Sequence, residues 1–266
     1  MSAAFDPARD VRVIREPSVY LVGKQVVDQA TIDRFLADHG VSWQTDTEVA
    51  GEYLAEMAGR LCYMSLVQPR PGGNETYLAH IREVGHGSVL EHAVWNFVLV
   101  GISRSLTHEL VRHRHFGYSM LSQRYVDESV AEYVEPDCIA DDAELHRLWL
   151  DAVAHSHQAY MKLTEGLLSK FQEEPDRTLR RKMARQAARS VLPNATETKI
   201  FVTGNARAWR HFIEMRASRH AEVEIRKLAV KVLQILQHEA PHIFGDYELV
   251  PLPDGTREAV TPHRKV

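Results

Sequence analysis

The segment His92 to Gly101, HAVWNFVLVG, constrains the fold of this chain more than any other. Asn96 is its only interior polar residue, so it reads as a largely buried strand that needs sheet partners and cover from other elements. Helical spacing elsewhere supplies the cover. Thr47 to Ser65 places Tyr53, Leu54, Met57 and Leu61 at helical intervals. After the turn-rich Gln68 to Gly73, Asn74 is predicted to cap a helix carrying Tyr77, Leu78 and Ile81. Ser103 is predicted to cap a helix with Leu106, Leu110 and Val111. Residues 140 to 172 show a helical pattern with a mixed-charge face, and Pro175 suits the first turn of another helix running to about Val191. Asn205 to Gln237 is predicted as the longest helix, with Ile225, Leu228, Ala229, Val232 and Leu236 on one face and Pro241 as its stop.

Three further stretches read as extended: Val11 to Ile14 with Val19 to Val22, in an N-terminal arm of about residues 1–30; Gln123 to Val126; and Thr196 to Thr203. The tail after Leu252 is polar and expected to be loose. No repeat, low-complexity block or dividing linker is present. The expectation is one α+β domain over residues 1–266, with a central, largely antiparallel or mixed sheet flanked by helices.

Composition removes several function classes. No apolar run approaches the roughly 20 residues of a membrane helix. Acids precede the first hydrophobic run, so no signal peptide is expected. Cys62 and Cys138, the two cysteines, stand far apart in no metal-like spacing, as in a reduced, cytoplasmic protein. A net charge of -4 argues against general nucleic-acid binding.

On this slightly acidic background, Arg112 to Arg124 packs three arginines, two histidines and two serines into thirteen residues. Arginine presents a rigid fork of donors that matches phosphate oxygens, and nearby hydroxyls complete the ring. A specific anionic ligand is therefore expected here. Three other polar segments are denser than a core would tolerate: Gly85 to His92; Arg185 to Arg189 on the helix before Pro193, of which Arg185 and Gln186 read as surface residues; and Asn205 to Glu222, where Asn205 stands at the N-cap of a helix whose N-terminus itself favours anions.

Taken together, these residues resemble the flavin-dependent thymidylate synthases. The hallmark is Arg112-His113-Arg114 followed after seven residues by Ser122. Support comes from His86-Gly87-Ser88-Val89-Leu90-Glu91-His92 upstream, and from Asn205-x-Arg207 with Arg216-x-Ser218-x-His220-Ala221 and Glu224-Ile225-Arg226 downstream. The resemblance runs from about residue 75 to 245. It implies conversion of deoxyuridylate to thymidylate, with methylenetetrahydrofolate as one-carbon donor and NADPH as the source of electrons through bound FAD. It assigns Arg112, His113, Arg114, Asn205, Arg207, His211 and His220 to FAD, with His86, Ser88 and Glu91 completing that site. It assigns Glu109, Leu121, Ser122, Gln123, Arg124, Arg189 and Arg216 to the nucleotide, with Arg112 shared by both ligands. Arg216 and Ser122 are the residues expected to act in the chemistry. The resemblance further implies a homotetramer with sites shared between subunits, and flavin binding without a Rossmann fold, consistent with the missing GxGxxG fingerprint.

The residue types suit that chemistry. A nucleotide monophosphate carries close to two negative charges, and two or three arginines with a serine hydroxyl can cradle it. Neither cysteine lies near a base that would make it a nucleophile, and Ser122 lacks an activating histidine–acid pair, so Ser122 reads as a ligand. Met120 stands where the family places Glu or Gln, and Glu109 where it commonly places an amide. Met120 cannot make the corresponding hydrogen bond, so either water or Gln123 replaces it or nucleotide affinity falls. A nucleotide- or RNA-binding module that keeps the phosphate cradle without turnover is the alternative reading. A metal-dependent hydrolase is a third, weakened because His108 and His113 do not share a helical face and no HExxH occurs.

Overall fold

The computed structural model describes residues 11–67, 71–126, 130 and 132–266. Its strands are β1 (Arg12–Ile14), β2 (Ser18–Lys24), β3 (Val94–Ser103), β4 (Gly117–Met120), β5 (Glu132–Val134), β6 (Glu197–Asn205), β7 (Glu248–Pro251) and β8 (Arg257–Val260). The apolar run is β3, second in a four-stranded sheet of order β2-β3-β6-β4. Thr203 donates to Asn96 (2.7 Å) and Glu197 accepts from the Gly101 amide (2.9 Å), so β3 and β6 run in opposite directions. A parallel pair, β1 with β5, and an antiparallel hairpin, β7 with β8, complete the strands. The fold class is α+β with an antiparallel central sheet, as the pattern predicts.

The chain clusters into two compact units, each containing stretches of β3 and β6. The first comprises Met1–Ser18, Leu99–Leu110 and Ser119–Ile200. Its longest helix, Ala143–Lys170, starts at Asp142, whose carboxylate accepts from the Glu144 and Leu145 amides. That helix lays Val153 and Ala154 against Val11 and Tyr133. The neighbouring helix Arg177–Ala188 starts at Asp176, which caps the Thr178 and Leu179 amides, and Pro175 therefore stands outside it.

The second unit comprises Val19–Val98, Val111–Tyr118 and Phe201–Val266. Helix Gln29–Asp38 packs Ile32 and Leu36 on Trp43, Tyr53 and Leu66, Tyr53 coming from helix Ala50–Cys62. Another centre is aromatic: Trp209 lies edge-on to Phe97 at 5.0 Å and stacks obliquely on Phe116 at 4.3 Å. Helix Val223–Glu239 buries every residue of its predicted apolar face.

Several expectations are corrected. Helix Gly73–Glu83 is capped at Gly72, not Asn74; Asn74 is fully buried, taking the Asp46 carboxylate at its amide and giving its side chain to Glu56. Gln123 to Val126 is a turn closed by bonds from the Tyr125 and Val126 amides to the Ser122 carbonyl. The pattern from Asn205 is two helices, Ala206–Arg216 and Val223–Glu239, and Ala143–Lys170 is longer than either. Pro241 opens the short helix Pro241–Phe244. The tail is ordered by the β7–β8 hairpin, and Val266 is buried. Residues 1–10 of the arm and Gln68, Pro69 and Arg70 of the turn lie outside the described residues. Among the described residues, no helix is long and apolar enough to cross a membrane.

Candidate active site

The arginine run begins where helix Arg104–Leu110 ends. Ser103 caps that helix through the Leu106 amide (2.9 Å), while the Arg104 and Ser105 amides reach the Thr196 and Asn194 carbonyls. The turn that follows, in the second unit, is held by its own residues. The His113 carbonyl accepts from the Phe116 amide (3.2 Å) and the Tyr118 hydroxyl (2.9 Å). Phe116 is inserted so closely over Gly204 that a Cβ there would lie 2.4 Å from its ring. These contacts turn His113 inward and leave Arg112 and Arg114 exposed, with no ion pair among the described residues.

His113 is surrounded by Phe116, Phe212 and His211, with ring centroids 6.0, 5.2 and 5.6 Å away. Burial, then the charges of Arg216 and His211, bring its pKa down to about 4. The ring is thus neutral at pH 7, and its Nε2 accepts from Arg216 Nε at 3.0 Å. The remaining proton then sits on Nδ1, which is buried without an acceptor among the described residues.

This pKa has a consequence for stability. Between about pH 6.5 and pH 4 the unfolded chain binds a proton at His113 that the folded chain does not. The associated stability is complete above pH 6.5 and is lost as pH falls toward 4, reaching about 3 kcal/mol at most. Urea unfolding of the wild type and His113→Phe at pH 7.5 and 4.5 tests this. The wild type should lose more stability than the variant; equal losses would refute the buried neutral ring.

Beside this turn in the same unit, helix Ala206–Arg216 is capped by Asn205, whose Oδ1 accepts from the Ala208 amide at 2.8 Å. Asn205 therefore works first as a cap. Arg207, in the first turn, pairs with Glu91 at 2.6 Å. The 3-10 segment Gly87–His92 holds His86, Ser88 and Glu91 exposed around the buried Gly87, where a Cβ would come within 2.8 Å of Val266 and 3.1 Å of Arg207. His211 and His220 are exposed as well. All ten residues assigned to the flavin lie in the second unit, together with Arg216.

The remaining nucleotide residues, Glu109, Leu121 to Arg124 and Arg189, lie in the first unit. The Leu121 amide bonds to the Lys199 carbonyl (2.9 Å), which fixes the start of the Ser122 turn. Gln123 is buried, and its Nε2 has no acceptor among the described residues; the same holds for Arg124 Nε. Buried donors of this kind cost stability unless a ligand or water supplies the acceptor. Arg189 and Glu109 are half-buried, and Met120 is exposed.

The sequence pattern gives no ligand role to Arg185, Tyr125 or Lys182. The structure groups them: Arg185 donates to the Tyr125 carbonyl (2.7 Å), and the Arg124 and Lys182 charges sit 5.9 and 5.2 Å from the Tyr125 ring. A hydrogen bond from Lys182, and then its charge, hold the Tyr125 phenol below its ordinary range. The i, i+3 spacing of Lys182 and Arg185 was the available signal.

Comparison with known proteins shows what the chain is similar to. The family model described as thymidylate synthase complementing protein, Thy1, matches residues 46–242. A flavin-dependent thymidylate synthase of Mycobacteroides abscessus is 55% identical over 230 residues, 86% of this chain and 92% of that protein. One of Mycobacterium tuberculosis is 54% identical over the same shares. Among solved structures, PolB of Streptomyces cacaoi, a UMP/dUMP methylase bound with 5-Br UMP, superposes with a TM-score of 0.63 at 19% identity, covering 88% of this chain and 95% of that one. That last likeness is one of fold. With the hallmark turn, the family match and relatives more than half identical in agreement, this chain belongs to the Thy1 family of flavin-dependent thymidylate synthases.

Proposed function

We propose that the chain converts deoxyuridylate to thymidylate, using methylenetetrahydrofolate as one-carbon donor and NADPH-reduced FAD as the hydride source. It acts as a single domain in a cytoplasmic homotetramer whose sites draw on several subunits. The observation that carries the nucleotide assignment is the pair of buried, acceptor-less donors, Gln123 Nε2 and Arg124 Nε, in the turn that begins with Ser122. An anionic nucleotide supplies the acceptors that these groups lack.

The donor set also fits a diphosphate-bearing flavin. Arg112 and Arg114 offer exposed guanidinium groups, and Arg207 stands in the first turn of a capped helix. His86, Ser88, Glu91, Asn205, His211 and His220 would complete its hold, and the bound flavin would supply hydride transfer. The chain's own residues do the rest. Ser122, Gln123, Arg124 and Arg189 bind and orient the nucleotide. Arg216 places positive charge at the uracil carbonyl edge, where negative charge develops as carbon five becomes nucleophilic. No cysteine thiolate is used: Cys62 and Cys138 are exposed, and neither belongs to the Ser122 turn or to the Arg216 helix.

Purified protein should show a flavin spectrum that bleaches with NADPH. With methylenetetrahydrofolate present, it should release tritium from carbon-five-labelled deoxyuridylate. A colourless protein that releases no tritium after FAD is added would sink the proposal. Salt-sensitive deoxyuridylate binding without turnover would instead favour the nucleotide-binding module.

A further inference from the structure

The geometry points to His113 as a positioning residue that acts through Arg216, setting the plane of its guanidinium by accepting the Nε hydrogen bond. This rests on the role proposed for Arg216 above, and it differs from the flavin contact that the family resemblance gives to His113. The contact is 3.0 Å from Arg216 Nε to His113 Nε2. A bond at Nε is made at the root of the planar group, so it fixes the direction in which the two terminal nitrogens point.

The acceptor is itself immobile. His113 is 8% exposed, sits among Phe116, Phe212 and His211, and its carbonyl anchors both the Phe116 amide and the Tyr118 hydroxyl. Phe116 is in turn clamped over Gly204 and against Trp209. Arg216 is the last residue of helix Ala206–Arg216, so its backbone is fixed while its side chain keeps several rotatable bonds. A rigid ring nitrogen at the far end removes that freedom before substrate arrives, as preorganisation of a charge-stabilising group requires. The protonation state agrees with the geometry: a ring held neutral at pH 7 can accept at Nε2, whereas an imidazolium could not.

The test compares His113→Gln with His113→Asn in the full-length flavin-loaded enzyme. Glutamine places its amide oxygen near the position of Nε2; asparagine, one methylene shorter, reaches only toward Nδ1. His113→Asn should lower kcat about 10- to 100-fold, the scale of a misplaced catalytic group, with a smaller change in KM for deoxyuridylate. His113→Gln should restore most of that loss. In an Arg216→Ala background, His113→Asn should cost no more than a further twofold or so, because a residue acting through Arg216 has nothing left to position. Flavin absorbance of each variant reports retention of the folded site.

Equal kcat for wild type and His113→Asn would overturn the inference. So would equal losses in the Gln and Asn variants, or a full additional loss in the Arg216→Ala background. If wild-type enzyme turns over no deoxyuridylate, the proposed reaction fails. The inference is then decided by deoxyuridylate affinity measured by calorimetry, which should fall in His113→Asn and recover in His113→Gln.

Discussion

Arg216→Ala should reduce kcat for thymidylate formation by about 100- to 1,000-fold while leaving the flavin spectrum in place. The expectation follows from where Arg216 sits. It closes helix Ala206–Arg216, and its Nε is held by a buried neutral histidine. A guanidinium fixed in that way can stabilise charge that develops on a uracil carbonyl without reorganising during the step. Removing it takes away stabilisation that exists mainly in the transition state, so kcat should fall more than nucleotide affinity does. Arg216→Lys should recover little of the loss. An ammonium has neither the planar fork nor an Nε–H to meet His113. Steady-state kinetics with tritium release would measure both parameters. A kcat within threefold of wild type in Arg216→Ala would remove Arg216 from the chemistry and leave the Ser122 turn to be tested in its place.

Much of this arrangement was legible because it is local. β3 was readable from an apolar run interrupted only by Asn96, and the caps at Ser103 and Asn205 from a hydroxyl and an amide ahead of helical spacing. The hallmark turn was readable because its residues lie within a few positions of each other. What escaped was decided by partners distant in the chain. No Gly or Pro marks the break between Arg216 and Val223. The interruption is made by the Ala217 carbonyl accepting from Ala259, by Arg219 pairing with Glu258, and by Arg226 donating to the Arg219 carbonyl. The same contacts order the tail, whose polar composition suggested looseness; its charges are spent on specific partners, Asp254 on Arg226 and Glu258 on Arg219. Asn74 looked like a cap, but Asp46, from 28 residues earlier, supplies the acceptor. His113 likewise has the composition of a ligand residue, and only the packing of Phe116 against Gly204 and Trp209 turns it toward Arg216.

Asp246→Ala should destabilise the protein by about 3–5 kcal/mol, the scale of an ion pair broken by loss of one buried partner. Arg210 is 1% exposed, and its two terminal nitrogens meet the Asp246 carboxylate at 2.7 and 2.8 Å. It also donates to the Ile243 and His263 carbonyls and lies 4.8 Å from the Tyr247 ring centroid. Burial alone would raise the Asp246 pKa; the Arg210 hydrogen bond and charge override it and hold the carboxyl below its ordinary range. The pair therefore stabilises the fold above that range, and this contribution fades as pH falls through the lowered pKa. Deleting the carboxylate leaves Arg210 and the nearby Arg82 as like charges in a buried site. It also releases Thr261, whose hydroxyl donates to the same carboxylate, and so frees the segment that brings Val266 over Gly87 beside Arg207. Flavin affinity should consequently fall along with stability. A paired replacement, Arg210→Met with Asp246→Leu, should cost distinctly less than Asp246→Ala alone, because no charge is left unpartnered. Urea unfolding of the three proteins decides the matter. If the double variant is no more stable than Asp246→Ala, the charge pair does not account for the loss, and the hydrogen bonds from Arg210 to the Ile243 and His263 carbonyls hold the tail.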